Sequence, residues 1–430
     1  MNKNVKNTLL PELRFPEFID FEQWESKTLK ELTPKGEKFG IVDGPFGSNL
    51  KTIHYKTEGI PIITSGYVTD GIFKADKYLF VTEEKFRKEK RSAVKAGDIV
   101  MAKIGARCGA SAILPMDHKT GILSGNSLKI TIDESRFSTR FVWQQLWYLH
   151  ISLKLQVLIK AGAQPAISIA NLKKFELLLP KKKEEQQKIA DCLSSLDELI
   201  TAQSQKLDAL KNHKIGLLQN LFPAEGETLP ELRFPEFEDD GDWIEKTLGQ
   251  VVHYENGKAH EKDIDEQGNF IVVNSKFIST DGEVKKYTNT ANLLAKEGDI
   301  LMVLSDVPNG RAIAKCFYVD KDDTYTVNQR VCKLTSKKAV SLVLYYLINR
   351  NSYFLAFDDG AKQTNLRKDD VLNCPLLLPK NPKEQQKIAN CLSSIDELIK
   401  AQSQKIEALK AHKKGLMQQL FPNTNQLTNE

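Results

Sequence analysis

The sequence predicts an α+β chain built twice: two globular α+β domains separated by two long helices that form an antiparallel coiled coil, a pseudo-twofold tandem repeat. Three observations predict it. The nine residues from Leu10 to Phe18 recur letter for letter at Leu229 to Phe237. Residues 185–223 match residues 384–422 at 30 of 39 positions. Between these frames lie two dissimilar middles, rich in short apolar runs broken by Gly, Pro, Asn and Asp, which is the pattern of strands and turns.

The spacing of the repeats is informative. Trp24 and Lys27-Thr28-Leu29 return as Trp243 and Lys246-Thr247-Leu248, at the opening offset of 219. Gly97-Asp98-Ile99 returns at Gly298 with an offset of 201, and Leu177 to Lys181 returns at Leu376 with an offset of 199. The first copy is therefore 20 residues longer, all of it between Leu29 and Leu177. Near-identical frames around divergent middles suggest one scaffold presenting two different recognition surfaces.

The opening frame leads into the first middle, whose strands are expected at Ile60 to Thr64, Asp98 to Ala102 and Leu128 to Ile132. The second offers Phe270 to Val273, Asp299 to Val303, Thr324 to Val327 and Val331 to Leu334. Helices are expected over Thr139 to Lys160 and Ala339 to Phe354. Both middles read as α+β domains with mixed sheets.

The closing frame is helical. From Glu185 to Leu221 there is no Pro, and one Gly, Gly216. A seam steps by four and three through Ile189, Leu193, Leu196, Ile200, Gln203, Leu207 and Leu210, and in the second copy through Ile388, Leu392, Ile395, Ile399, Gln402, Ile406 and Leu409. This is an a/d heptad pattern, with Gln203 and Gln402 as the polar interruptions that fix register. Phe222-Pro223 and Phe421-Pro422 stop the helices. At about 1.5 Å per residue each spans roughly 55 Å. The two seams can serve each other, and antiparallel pairing returns each helix to a distant domain, giving a dumbbell. The outer faces, with Gln186, Gln187, Lys188, Ser204, Gln205 and their second-copy equivalents, are left as a partner surface. The expected boundaries are 1–183 and 224–382 for the domains, 184–223 and 383–422 for the helices, and 423–430 for a disordered tail.

Composition sets limits on function. The chain has 430 residues, 41% apolar and 27% charged, as in soluble globular proteins. No run approaches the 18 or so apolar residues of a membrane span, so no membrane role is expected. Residues 1–6 lack the apolar core of a signal peptide. Six scattered cysteines without a C-x-x-C argue for a reducing compartment and against zinc or a disulfide framework. Net charge is +5, unevenly spread: residues 1–183 carry 30 Lys+Arg against 19 Asp+Glu, and residues 224–382 carry 20 against 26. The first half suits a polyanion. The second would need a local basic face.

Catalytic and metal motifs are missing. There is no Walker-type phosphate loop, no G-x-G-x-x-G after a strand, no H-E-x-x-H and no G-x-S-x-G elbow. Neither a nuclease carboxylate–lysine cluster nor an Asn-Pro-Pro-type adenine methyltransferase loop occurs. Polar, Gly-rich turns stand out instead. In the first copy they supply Ser48, Asn49, Lys51, Lys103, Arg107, Ser124, Asn126, Ser127 and Gln164. In the second they supply Asn274, Ser275, Lys276, Asn309, Arg311, Asn328, Gln329, Arg330, Gln363, Asn365 and Arg367. These side chains suit base edges, Arg and Lys on guanine and Asn and Gln on adenine, and Gly permits close approach to phosphate.

With these segments on the page, the chain resembles the specificity subunit of type I restriction–modification systems over essentially its whole length. The carriers are Pro11-Glu12-Leu13-Arg14-Phe15-Pro16 and its repeat with Trp24 and Trp243, and Asp43 to Lys51. To these add the Gly-Asp-Ile segments at 97 and 298, Glu-Gln-Gln-Lys-Ile-Ala at 185 and 384, and the long helices ending in Leu-Phe-Pro. The resemblance implies two target-recognition domains, each reading one half of a bipartite, asymmetric double-stranded DNA target. It implies a subunit without catalysis or cofactor of its own. Two modification subunits would dock on the helices and methylate adenine N6 with S-adenosylmethionine. Two restriction subunits would add ATP- and Mg-dependent translocation and cleavage. The location implied is cytoplasmic, nucleoid-associated through DNA. A coiled-coil structural adaptor bridging two protein partners would also explain the rod and the duplication, but not the Asn-, Gln- and Arg-bearing turns.

Overall fold

The computed structural model describes residues 10–69, 71–160, 164–307 and 310–422, without the side chains of Ser48 and Lys160. The readings made for residues 1–6 and for the tail 423–430 lie outside the described residues. The chain divides into two compact units, residues 1–203 with 405–430, and residues 204–404.

In the first unit a four-stranded antiparallel sheet runs in the order Ile41–Asp43, Ser127–Ile130, Ile99–Ala102, Ser111–Ile113. A second sheet runs Phe80–Val81, Ile60–Ile63, Gly121–Leu123, Ala93–Val94, and its central pair is parallel. The run Ile99-Val100-Met101-Ala102 is apolar throughout because both faces of its sheet are covered. Side chains alternate across a strand. Ile99 and Met101 join a core with Phe141, Leu146 and Ile189, while Val100 joins one with Ile63 and Leu123 of the other sheet. Glu25–Thr28 pairs antiparallel with Glu176–Leu179 and closes the domain at its ends.

The second unit repeats this plan on unrelated sequence. Its four-stranded sheet runs Val252–Asn256, Val331–Ser336, Ile300–Val303, Cys316–Tyr318, all antiparallel. Its other sheet holds the parallel pair Phe270–Val273 and Tyr325–Val327, with Tyr287–Thr288 at the edge. Alternation again divides two cores: Ile300 and Met302 pack with Val343 and Ile388, Leu301 and Val303 with Val273 and Phe277. Ile244–Thr247 pairs with Pro375–Leu378 as the closing ribbon.

Two expected helices are shorter than their apolar pattern. The one expected to reach Lys160 is Thr139–Ile151. Leu153 then takes left-handed backbone at φ 60°, and the 3-10 turn Lys154–Leu158 and the strand Ile159–Lys160 follow. The second divides into Ser341–Ile348 and Ser352–Leu355 around Arg350 at φ 58°. Buried runs of this length do not distinguish one helix from several short elements.

The long helices span Lys183–Leu221 and Pro382–Leu420, the second opening on a Pro whose missing N–H costs nothing at a first helical position. Within the first unit Asp197 meets Lys413 at 2.5 Å, while Ile189 and Leu193 share a core with Met417, Leu420 and Phe421. Within the second, Lys214 meets Asp396 at 2.5 Å, and Leu221 shares a core with Ile388 and Leu392. In each unit the two helix halves run antiparallel. Of the seam, Ile189, Leu193, Ile388, Leu392, Ile395, Gln402 and Ile406 are buried, and Leu196, Ile200, Gln203, Leu207, Leu210, Ile399 and Leu409 are half-buried.

The repeated frame residues prove to be a joint. Glu185, 1% exposed, accepts from Arg14 at 2.8 Å on each oxygen and from Trp24 Nε1 at 3.1 Å. Glu384 repeats this with Arg233 at 2.7 and 2.9 Å and Trp243 at 3.2 Å. The next residue completes it. Gln186 accepts from the Ser138 amide and donates to the Pro180 carbonyl, and Gln385 does the same with Val340 and Pro379. Gln186 and Gln385 therefore leave the outer face to which the sequence assigned them: both are buried, where their amides satisfy backbone groups.

The Gly-Asp-Ile repeat is a second shared device. Gly97 and Gly298 take φ of 83° and 86°, which a side chain disfavours. Asp98 accepts from Lys95 N and Thr131 Oγ1, and Asp299 from Lys296 N and Thr335 Oγ1.

Candidate nucleic-acid interface

Strand direction brings the singled-out turns of the first unit to one end of the four-stranded sheet. Ile41–Asp43 and Ile99–Ala102 end there, and Ser127–Ile130 begins there. Lys103 N donates to Asn126 O at 2.8 Å, which joins two turns, and Gly105 N donates to Pro165 O at 3.0 Å, which brings in the Gln164 segment. Asn49, Lys51, Arg107, Asn126 and Gln164 are exposed, and Lys103 and Ser124 are half-buried. Ser127 is fully buried and lies 3.0 Å from Ser124 Oγ, so its hydroxyl shapes the turn and does not reach outward. Of Ser48 only the backbone, in the 3-10 turn Gly47–Asn49, is described.

The second unit gathers its turns at the equivalent end. Leu304 N donates to Arg330 O, Asn328 N to Val273 O and Lys258 N to Val327 O. Ser305 pairs with Asn365, and Gln363 Nε2 donates to Ser305 Oγ at 2.7 Å. Lys276, Arg311, Gln329, Arg330, Gln363, Asn365 and Arg367 are exposed. Asn274, half-buried, caps the helix Ser275–Ser279 by accepting from Phe277 N at 2.9 Å, which is a local structural task. Ser275 and Asn328 are half-buried, and Ser275 Oγ and Asn328 Oδ1 are buried atoms without a partner. Asn309 lies outside the described residues.

Two glycines here have a structural reason. A side chain on Gly44 would meet Ser124 O at 2.0 Å, and one on Gly257 would meet Asn328 O at 2.0 Å, so the chain's own strands demand glycine at both. Gly47 and Gly105 take φ of 57° and 99°, with open space where a side chain would stand.

Charge at this end is arranged in pairs. Lys103 Nζ lies 2.5 Å from Asp43 Oδ2 and 4.2 Å over the Phe46 ring, and Arg91 reaches Asp43 Oδ1 at 3.2 Å. In the second unit Glu261 accepts from Gln329 Nε2 at 2.9 Å. Hydrogen bonds, first from its own backbone amide, hold the Glu261 carboxyl below the ordinary range. Reading the sequence singled out the segment Asp43 to Lys51 without naming Asp43 or Phe46 as site residues, and it missed Lys258 and Glu261 as members of this end. The Asn256-Gly257 pair was the available turn signal for the last two. The acids that make the second half net negative are partly spent elsewhere: Glu236 pairs with Lys387, Asp240 with Asn381 and Asp281 with Lys315. Lys258, Lys276, Arg311, Arg330 and Arg367 are exposed at or beside these turns, with Glu261 and Asp306 among them.

Among the described residues no group of His, Cys, Asp and Glu could hold a metal ion, and no helix is long and apolar enough to cross a membrane.

Known proteins resemble this arrangement along nearly the whole chain. The specificity subunit of the type I restriction enzyme MjaVIII from Methanocaldococcus jannaschii is 25% identical over 382 residues, covering 84% of this chain and 85% of its own. The crystal structure of a type I restriction–modification S subunit from M. genitalium matches the fold with a TM-score of 0.59 at 15% identity, over 96% of this chain and 99% of that one. A chain from a structural study of complex assembly and conformational transition in the type I restriction–modification system matches at 0.55 and 15% identity, over 93% and 98%. The model of the type I restriction modification DNA specificity domain matches twice, at residues 22–212 and 240–411. With two such domains in tandem over most of its length, the chain belongs to the type I restriction–modification DNA specificity family.

Proposed function

We propose that each unit reads one half of a bipartite, asymmetric DNA target through the turns gathered at one end of its four-stranded sheet. The observation that carries this is the pairing of one topology with two unlike sets of turn residues. A shared scaffold fixes where the turns stand, and the turns differ in chemistry, cationic around Lys103 and Arg107, amide-rich around Gln329, Gln363 and Asn365. Phosphate contacts position and base edges specify. The chain itself is the non-catalytic specificity subunit, and methylation belongs to partner subunits. Two adenine-N6 methyltransferase subunits would use the long helices. Leu199 and Leu398 are exposed at equivalent positions of the two helices and mark where such docking can be probed. A cytoplasmic, nucleoid-associated location follows from this reading.

The test is the map of N6-methyladenine in the source strain with and without this gene, and after exchange of residues 238–379 for those of a relative. Loss of one bipartite motif on deletion, and change of only one half on exchange, is the expected result. An unchanged methylome in a strain expressing the whole complex would refute the reading and favour the adaptor.

A further inference from the structure

We propose that Asp43 and Glu261 are specificity-determining carboxylates that hold DNA-gripping donors out of reach of the wrong sequence. The inference rests on the reading above, that these turns face DNA. Asp43 closes the strand Ile41–Asp43, and its two oxygens are taken separately, by Arg91 at 3.2 Å and Lys103 at 2.5 Å. Lys103 is held from the other side by the Phe46 ring. Its side chain is 14% exposed, at the surface yet already neutralised. Glu261 belongs to the turn that leaves the corresponding strand of the second unit, Val252–Asn256, and holds the amide of Gln329 at 2.9 Å. The two carboxylates lie in the divergent middles and hold unlike donors. Inheritance from the common frame therefore does not account for both.

A free lysine grips the phosphates of any sequence. A lysine already paired must give up that pair first, and only a base edge offering acceptors in the same place replaces it: guanine O6 and N7 for Lys103, an adenine edge for the Gln329 amide. Discrimination is a difference of two affinities, and weakening the wrong complex raises it as surely as strengthening the right one. The competing use of the same groups is direct acceptance of a hydrogen bond from cytosine N4. The two uses predict opposite effects of removing the charge.

The experiment uses the full chain assembled with its methyltransferase subunits. Probes are the duplex carrying the methylated motif and duplexes with one half scrambled, titrated over a salt series. Wild type, D43N, D43A, E261Q and the D43N/K103A double variant are compared. D43N and D43A should bind the duplex scrambled in the first unit's half roughly three- to fivefold tighter, with the intact site nearly unchanged. The slope of log affinity against log salt should steepen by about one, the signature of a released cation. K103A should cancel the gain, and E261Q should relax only the other half. An unfolding midpoint in urea at the wild-type value reports that a variant is folded. Weaker binding of the intact site by D43N, or no change on either duplex, overturns the inference. Failure of the wild-type complex to distinguish the duplexes overturns the proposed function, and this inference with it.

Discussion

Arg14 and Glu185 stand 171 residues apart in the chain and meet in a two-pronged ion pair, with side chains 8% and 2% exposed. A buried pair is costly to break on one side, because the surviving charge stays buried alone. R14A should lower unfolding free energy by about 3 kcal/mol in urea titrations of the full chain. The R14L/E185L double variant, which leaves no orphaned charge, should be more stable than R14A. R233A should behave likewise through Glu384.

Phe421 is 2% exposed and packs against Phe141 and Tyr148, at ring-centre distances of 5.6 and 5.5 Å. It follows the second long helix in sequence and belongs to the core of the first repeat. F421A should cost about 3–5 kcal/mol. Limited proteolysis should show cleavage within residues 19–180 rising before cleavage within residues 238–379.

Asp197 and Lys413 make a weaker link. Asp197 is 40% exposed, so solvent screens the pair. K413A should cost about 1 kcal/mol or less, and the exchange D197K/K413D should recover most of it in a double-mutant cycle.

Alkaline pH should destabilise the fold. Burial pushes the Cys108 thiol up to about 11, and those of Cys332 and Cys374 to about 12, from 9.0. It raises Tyr254, Tyr345 and Tyr346 as well. Raised values mean that the folded chain keeps protons the unfolded chain has released. The contribution is whole below about pH 9 and is lost as pH climbs through the folded values. Urea midpoints should fall from about pH 9 upward, and a Cys108→Ala, Cys332→Ala, Cys374→Ala variant should show a shallower fall.

Repetition made the architecture legible. The heptad seam is a local pattern, and each burial along it follows from its period. The frame was visible as identity but not as mechanism: nothing in the letters says that Arg14, Trp24 and Glu185 converge, because that contact is made across a whole domain. Gln186 illustrates the limit. An amide on a helix face reads as solvated until the neighbouring backbone amide and carbonyl it satisfies are known. The common topology of the two middles was hidden because alternation along Ile99 to Ala102 is masked when both faces are buried. The candidate interface was legible as residue types in turns. Strand direction alone decides which turns share an end, and neither Asp43, inside a segment already singled out, nor Glu261 shows its partners in the sequence.

The first unit takes residues 405–421 into its fold, with Met417, Leu420 and Phe421 in its core. During synthesis those residues leave the ribosome only after the whole of the second unit. At about 5–20 residues per second, the 200 or so residues between Gln203 and Lys405 take roughly 10–40 s to make. For that time the first half of the chain is finished but cannot be sealed. Its apolar surface around Phe141 and Tyr148 stays without Phe421 until then. Slow codons or an interruption after the second unit has been made would therefore harm the domain made first.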